Sequence, residues 1–267
     1  MTDKHERPQT LNGTVVLITG ASRGLGAALA REFARAGAAL ALASRAASAD
    51  ELARVRREAE ALGAAVLTIS ADVAQRDDVE RLAAEALSRF GRVDILINNA
   101  SALGPTPLPL LLDTPPDAFR DVLETNVLGP FLLTRALAGQ MLARNSGLVI
   151  NVSSDAGAVG YAHWGAYGAS KAALDQITRV WAAELDGSGV GIVSVDPGSM
   201  DTRMHREAVP DEDPAAWADP ARVAPFFLQI ATTDPRLING RRFEAQEPKS
   251  LAALHNLVAA HKEPSHA

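Results

Sequence analysis

The sequence predicts an α/β protein built on a doubly wound parallel sheet of about seven strands with helices on both faces. Three observations predict it. Short apolar runs alternate with longer segments whose apolar residues recur at helical spacing, the pattern of repeated strand-helix units. The first strand and helix are joined by a glycine-rich turn. A chain of 267 residues that is 47 % hydrophobic buries a sizeable core, and the expectation is one domain over 1–267.

Residues 14–19 (TVVLIT) read as the first strand and 24–37 as an alanine-rich helix. The turn between them runs Thr19-Gly20-Ala21-Ser22-Arg23-Gly24-Leu25-Gly26. Its glycines permit positive φ and close backbone approach, and a helix N-terminus attracts phosphate. The turn is therefore expected to seat a dinucleotide pyrophosphate, although any strand-to-helix turn also uses glycine. A second apolar run, 38–43 (AALALA), ends in Ser44-Arg45, about 20 residues past the glycine turn, where an NAD site usually places Asp or Glu. No acid stands there. Arg45 and Arg23 suit a 2′-phosphate, with Ser44 as a donor, which argues for NADP(H) over NAD. The competing reading is two solvated arginines.

The pattern then repeats: helix to about 62, strand 64–70, helix 75–90, strand 93–98. Asp72-Val73 and Asn98-Asn99-Ala100 fall just beyond two strand ends, the edge at which doubly wound sheets bind ligands. Thr114-Pro115-Pro116-Asp117 reads as an N-cap, a proline at the first helical position and an acid in the first turn, opening one long helix to about 144 that contains Asn126. Strand 147–152 delivers Ser153-Ser154, a helix follows to about 185, and strand 190–195 ends in Asp196-Pro197-Gly198. Residues 199–220 are polar and rich in proline and acids, and they are expected to form a mobile substrate lid rather than an ordinary connection. A helix at 220–231 and a last strand at 241–244 complete the sheet, and a helical tail at 245–267 carries the apolar stripe Leu251, Leu254, Leu257 and Val258.

The chemistry concentrates in 154–171. Tyr167 and Lys171 are four positions apart, so a helix places them one turn apart on one face. A free phenol has a pKa of about 10, and a cation within roughly 4–6 Å lowers a pKa by about 1–3 units. Lys171 is accordingly expected to favour the phenolate and make Tyr167 a general acid/base. Ser154, thirteen residues earlier, supplies a hydroxyl at a strand end that can polarise the carbonyl the phenol protonates. The pair alone also fits an ordinary amphipathic helix, and the Ser-Ser pair an ordinary turn.

Composition excludes several classes. There are no cysteines, hence no disulfides, thiolate metal sites or cysteine nucleophiles. The six histidines are scattered without metal-ligand spacing, and no metal is expected. Net charge is −6, with basic residues such as Arg54, Arg56 and Arg57 interleaved with Glu51, Glu58 and Glu60, so no nucleic-acid surface emerges. The first ten residues, MTDKHERPQT, lack an apolar signal core, and no apolar run approaches the roughly 20 residues that span a bilayer. A soluble, cytoplasmic protein is expected.

The ordered set TGASRGLG, ADV at 71–73, NNA at 98–100, Asn126, Ser154, Tyr167-x3-Lys171 and Pro197-Gly198 resembles the short-chain dehydrogenase/reductase family from about residue 11 to residue 240. The resemblance implies a Rossmann-type fold and an NADP-preferring, nucleotide-binding oxidoreductase. It implies a catalytic group of Asn126, Ser154, Tyr167 and Lys171, with Asn126 shaping the helix that holds a relay water. It further implies a nicotinamide seated by Pro197, Gly198, Met200 and Thr202, a ribose held by Lys171, a cofactor contact from Tyr167, and a homodimer or homotetramer. The chain departs from the family at two places: Ser101 stands where NNA usually continues with glycine, and RRFEAQE follows Gly240 where an Asp-Gly-Gly turn is usual. The second departure puts the usual tetramer contacts in doubt.

The reading that follows is interconversion of a carbonyl and an alcohol, most simply reduction of a ketone or aldehyde by NADPH. Two alternatives stay open: an NAD-linked alcohol dehydrogenase, weakened by the missing acid after the second strand, and a catalytically silent nucleotide-binding scaffold, since fold alone never proves function.

Overall fold

A computed structural model describes residues 10–262. The polar lead before Thr10 and the last five residues of the tail lie outside the described residues. Seven parallel strands form one sheet in the order β3-β2-β1-β4-β5-β6-β7. They are β1 (Val15–Thr19), β2 (Ala39–Ser44), β3 (Val66–Ser70), β4 (Ile95–Asn98), β5 (Gly147–Val152), β6 (Val190–Asp196) and β7 (Arg242–Glu244). Parallel strands require crossovers, and the helices that make them bury both faces of the sheet. That is why β1, β4 and β5 are buried along their whole length.

The pleat sends alternate side chains to opposite faces. Val16 and Ile18 of β1 meet Leu29 and Phe33 of α1 (Gly24–Arg35), with α2 (Ala49–Ala61) and α8 (Pro220–Ala231) completing that layer. Val15 and Leu17 face Leu82 of α3 (Arg76–Phe90) and Leu133 and Leu137 of α5 (Gly129–Ala143). Phe33 and Phe227 are fully buried. Truncating either to alanine costs about 3–5 kcal/mol, because a cavity remains where the ring was.

Two features differ from the expected helix over 114–144. Thr114 is not its cap: the cap is Pro115, with ψ 134°, and α4 (Pro116–Leu123) starts one residue later. A residue that precedes proline is driven out of the helical region, so Pro116 forces Pro115 to stay extended. The Thr114 hydroxyl donates to the carbonyl of Leu110 at 3.0 Å instead. The helix is also not uniform, because residues Glu124–Leu128 form a π turn between α4 and α5. A π turn inserts one residue into the helical register, commonly at a functional site, and here it holds Asn126.

Residues 199–220 are more ordered than their composition suggests. They contain α7 (Arg203–Ala208), capped by the Thr202 hydroxyl, and a 3-10 turn at Pro214–Ala216, and they close on themselves through a bridge between Met200 and Ala218. After the short α9 (Pro235–Ile238), the tail forms α10 (Pro248–Lys262). Leu254 is buried and Leu251 and Leu257 pack against the same core as α8, which gives the apolar stripe its partner. Among the described residues no helix is long and apolar enough to cross a membrane.

Candidate active site

Chain order reverses where β1 pairs with β2 on one side and β4 on the other. At such a switch point the connections leave in opposite directions and open a crevice beyond the strand ends. A cavity of about 330 Å³ lies there, lined by Gly20, Ser22, Arg23, Gly24 and Leu25 of the first turn, Ser44 and Arg45 after β2, and Asp72 and Val73 after β3. Asn99 and Ala100 after β4, Tyr167 and Lys171 of α6 (Gly165–Glu184), and Pro197, Met200 and Thr202 complete it.

The turn is built by close approach. Gly20 has φ +64°, and a Cβ there would stand 2.9 Å from the Cα of Ala100. Gly26 does not line the cavity. A Cβ at that position would run into the Gly20 carbonyl oxygen and the Asn99 side chain, so its absence lets α1 begin under the turn. Asn99 holds the arrangement: its Nδ2 donates to the carbonyls of Thr19 (2.8 Å) and Gly20 (3.2 Å), and its backbone N–H donates to Thr19 Oγ1 at 3.0 Å.

The charge of the cavity suits a phosphorylated ligand. Arg45 is exposed and makes no ion pair among the described residues, and no acid stands directly after β2. Arg23 is shared, donating to Glu51 at 3.1 Å and to Ser48 at 3.3 Å. That pair is more than two-fifths exposed on both sides, and exposed pairs are worth about 0–1 kcal/mol, so a phosphate can take the guanidinium over. These features fit a dinucleotide with a 2′-phosphate.

A second cavity, of about 320 Å³, adjoins the first and contains Ser154, Tyr167, Trp164 and Gly198, with Met204, His205 and Val209 from the 199–220 segment. Gly198 lines this cavity and not the first, a different seat from the one its motif suggests. Ser101 lines the first cavity and not the second. Gln246, within the atypical C-terminal stretch, donates to the carbonyls of Pro197 and Ser199, both at 2.9 Å, and so fixes the loop between the cavities. The edge of the Trp164 ring meets Tyr167, with centroids 5.5 Å apart.

Lys171 is 2 % exposed. Its Nζ donates to the carbonyl of Val152 at 2.7 Å and sits 5.4 Å from the centroid of the Tyr167 ring. Burial lowers its pKa to about 8, opposed by Asp175 and Asp196. The expected depression of the Tyr167 pKa does not occur. Desolvation raises it, Asp196 and Asp155 push the same way, and only the Ser154 and Ser101 hydroxyls oppose the rise. The ring itself is only partly buried; the crowded surroundings of the hydroxyl set the direction. Desolvation is the largest cause, and the Lys171 Nζ is hydrogen-bonded to the Val152 carbonyl rather than to the phenol.

Asn126, 1 % exposed, is fully satisfied. Its Oδ1 accepts from Ser101 Oγ (3.1 Å) and the Ala102 N–H (2.7 Å), while its Nδ2 donates to the Ala102 carbonyl and Ser170 Oγ, both at 2.9 Å. The π turn thereby ties the strand end after β4 to α6. A buried ladder does the same deeper in the sheet: Asn98 donates to Asn151, and Asn151 to Thr178 of α6, each at 2.8 Å.

Sequence reasoning missed Thr125 and Arg203 on the first cavity and Asp155 and His205 on the second. Asp155 directly follows Ser154 and accepts its hydroxyl at 3.0 Å and that of Tyr161 at 2.8 Å. Its acidity beside a candidate catalytic serine was the available signal. Among the described residues no group of three or more His, Asp or Glu is placed to hold a metal ion.

The family described as short chain dehydrogenase matches residues 14–213. L-fucose dehydrogenase of Rattus norvegicus is 36 % identical over 77 % of this chain and 73 % of its own length. The 3-oxoacyl-[acyl-carrier-protein] reductase of Synechocystis sp. is 35 % identical over 87 % of this chain and 95 % of its own. A short chain dehydrogenase from Shigella flexneri 2a str. 301, solved in complex with NADP, superposes with a TM-score of 0.82 at 31 % identity, covering 90 % of this chain and all of that one. With its sheet order, its glycine turn and these likenesses, the chain belongs to the short-chain dehydrogenase/reductase family of oxidoreductases.

Proposed function

We propose that the protein interconverts a carbonyl and an alcohol with NADP(H), and that Tyr167 is its general acid/base. One observation carries the reading: Tyr167 lines both cavities, so its phenol stands at the junction of a cationic dinucleotide cleft and an adjoining pocket that reaches Ser154. The Shigella flexneri relative solved with NADP supports the cofactor.

A bound nicotinamide coenzyme supplies the hydride. Gly20, Ser22, Gly24 and Leu25 would seat its pyrophosphate at the N-terminus of α1, where backbone N–H groups and the helix dipole favour anions. Arg23, Ser44 and Arg45 would hold the 2′-phosphate. Asp72 and Val73 would border the adenine end, and Pro197, Met200 and Thr202 the nicotinamide end.

In the reductive direction the Ser154 hydroxyl turns from Asp155 to the substrate oxygen, and the Tyr167 phenol gives that oxygen its proton. The high phenol pKa suits this step, because Tyr167 is protonated at neutral pH and ready to donate. Lys171 would steady the phenolate left behind and hold the ribose of the coenzyme. Asn126 acts through Ser101 and Ser170, fixing the wall around the phenol. Residues 199–220 would cover the substrate, and unchanged amide exchange there under saturating NADP and product would remove the lid from this reading.

Oxidation of NADPH against a panel of ketones and aldehydes tests the proposal. Turnover that exceeds turnover with NADH supports it, and silence despite measured NADPH binding would favour a scaffold. The two relatives differ in substrate, one named for L-fucose and the other for an acyl group on a carrier protein.

A further inference from the structure

The two cavities that meet at Tyr167 have opposite charge. Arg23, Arg45, Arg203 and Lys171 line the first, against Asp72 and Asp201. Asp155, Asp196 and Glu212 line the second, and among the described residues no lysine or arginine does. Asp196 is answered from outside by Arg242, whose Nη2 stands 2.9 Å away. Asp155 and Glu212 form no ion pair with any described residue: Asp155 accepts from two hydroxyls, and Glu212 from the Trp217 indole at 3.3 Å. His205 brings no charge at neutral pH, because burial lowers its pKa against the pull of Glu212 and Asp155.

The pocket also has unused polar capacity. Ser153, 1 % exposed, lines both cavities with an Oγ that has no hydrogen-bond partner, and the His205 Nε2 is likewise buried without one. Unpaired buried polar atoms are costly, and here they border the space a substrate would fill.

Resting on the oxidoreductase reading of this site, we propose that the pocket takes a substrate with an ammonium or hydroxyl donor on the carbon next to the reacting one and rejects carboxylates there, with Asp155 reading that group. Asp155 is bonded to Ser154, so a substrate oxygen held by Ser154 places its neighbouring substituent against this carboxylate. Two oxygens of a carboxylate offer about four acceptor sites. Tyr161 occupies one and, once Ser154 turns to the substrate oxygen, an amino or hydroxyl group has room to donate to the rest. A substrate carboxylate meets like charge with no cation to offset it.

Four methyl ketones that differ in one group provide the test: aminoacetone, hydroxyacetone, butanone and acetoacetate. Intrinsic reactivity cancels when wild type and Asp155→Asn are compared on the same pair, and asparagine keeps an acceptor for Ser154. The ratio of kcat/KM for aminoacetone over acetoacetate is expected to fall at least about tenfold in the variant, since the lost charge acts on the two substrates with opposite sign. Glu212→Gln is expected to lower it less. In parallel, ligand-observed NMR on the NADP-loaded protein compares 1-amino-2-propanol with 3-hydroxybutyrate. Preferential binding of the amine, lost in Asp155→Asn, supports the proposal even if no ketone turns over, in which case the oxidoreductase reading fails alone. Turnover with an unchanged ratio overturns the proposal and leaves that reading standing. Equal binding of the two ligands, or binding of neither, also overturns it.

Discussion

Lys171 lies one helical turn from Tyr167, yet its ammonium is hydrogen-bonded to the Val152 carbonyl at 2.7 Å and not to the phenol. Proximity in sequence therefore does not make a tyrosinate in the ligand-free protein. The protein has two tyrosines, and both are held above the ordinary phenol value, Tyr161 by its bond to Asp155 and Tyr167 chiefly by burial. An ultraviolet titration of the ligand-free protein is expected to show no tyrosinate up to about pH 9, a unit below the free phenol. One equivalent of tyrosinate forming below that pH would mean that Lys171 governs the phenol after all.

Arg45 forms no ion pair among the described residues, and Arg23 is shared with Glu51. Arg45→Asp is expected to weaken NADPH binding at least about tenfold more than NADH binding, because a charge-assisted contact is worth about 1.5–3 kcal/mol and repulsion adds to its loss. Arg23→Ala is expected to show a smaller version of the same selectivity. Equal losses for both coenzymes, measured by fluorescence titration, would assign these arginines to the protein surface.

Ser101 replaces the expected glycine with a hydroxyl that donates to Asn126 and stands beside the phenol. Ser101→Gly removes one of the two groups that oppose the high Tyr167 pKa. Alcohol oxidation needs the phenolate, so its pH-rate profile is expected to move to higher pH, with activity at fixed pH lower by about fivefold, the worth of one hydrogen bond. A profile that stays in place while the melting temperature drops would make Ser101 structural only.

Most of the frame was legible because parallel strands buried on both faces leave continuous apolar runs. Runs such as TVVLIT and AALALA mark β1 and β2 to within a residue, and the glycine spacing marks where α1 begins. Elements set by tertiary contacts were not. The start of α4 depended on which proline restrained which neighbour, and the π turn around Asn126 has no local signature. In the candidate site, spacing alone brought Tyr167 and Lys171 together, but the direction of the Lys171 side chain is set by the Val152 carbonyl of β5, and the phenol pKa chiefly by burial. Asp155 and Arg203 sit in stretches whose composition reads as loop, and only the folded chain shows which cavity each one faces.

If the Tyr167 hydroxyl transfers the proton, as proposed, one substitution isolates it. Tyr167→Phe deletes that oxygen and keeps the ring against Trp164, so fold and coenzyme binding should persist. General acid/base catalysis contributes about 10²–10⁴ in rate, and the loss is expected in kcat by at least the lower figure. The decisive measurement is single-turnover NADPH oxidation with a ketone the wild type reduces, alongside the NADPH dissociation constant. The expected result is an unchanged dissociation constant with a rate reduced about a hundredfold or more. A variant that binds NADPH normally and reduces the ketone within about tenfold of wild type would contradict it.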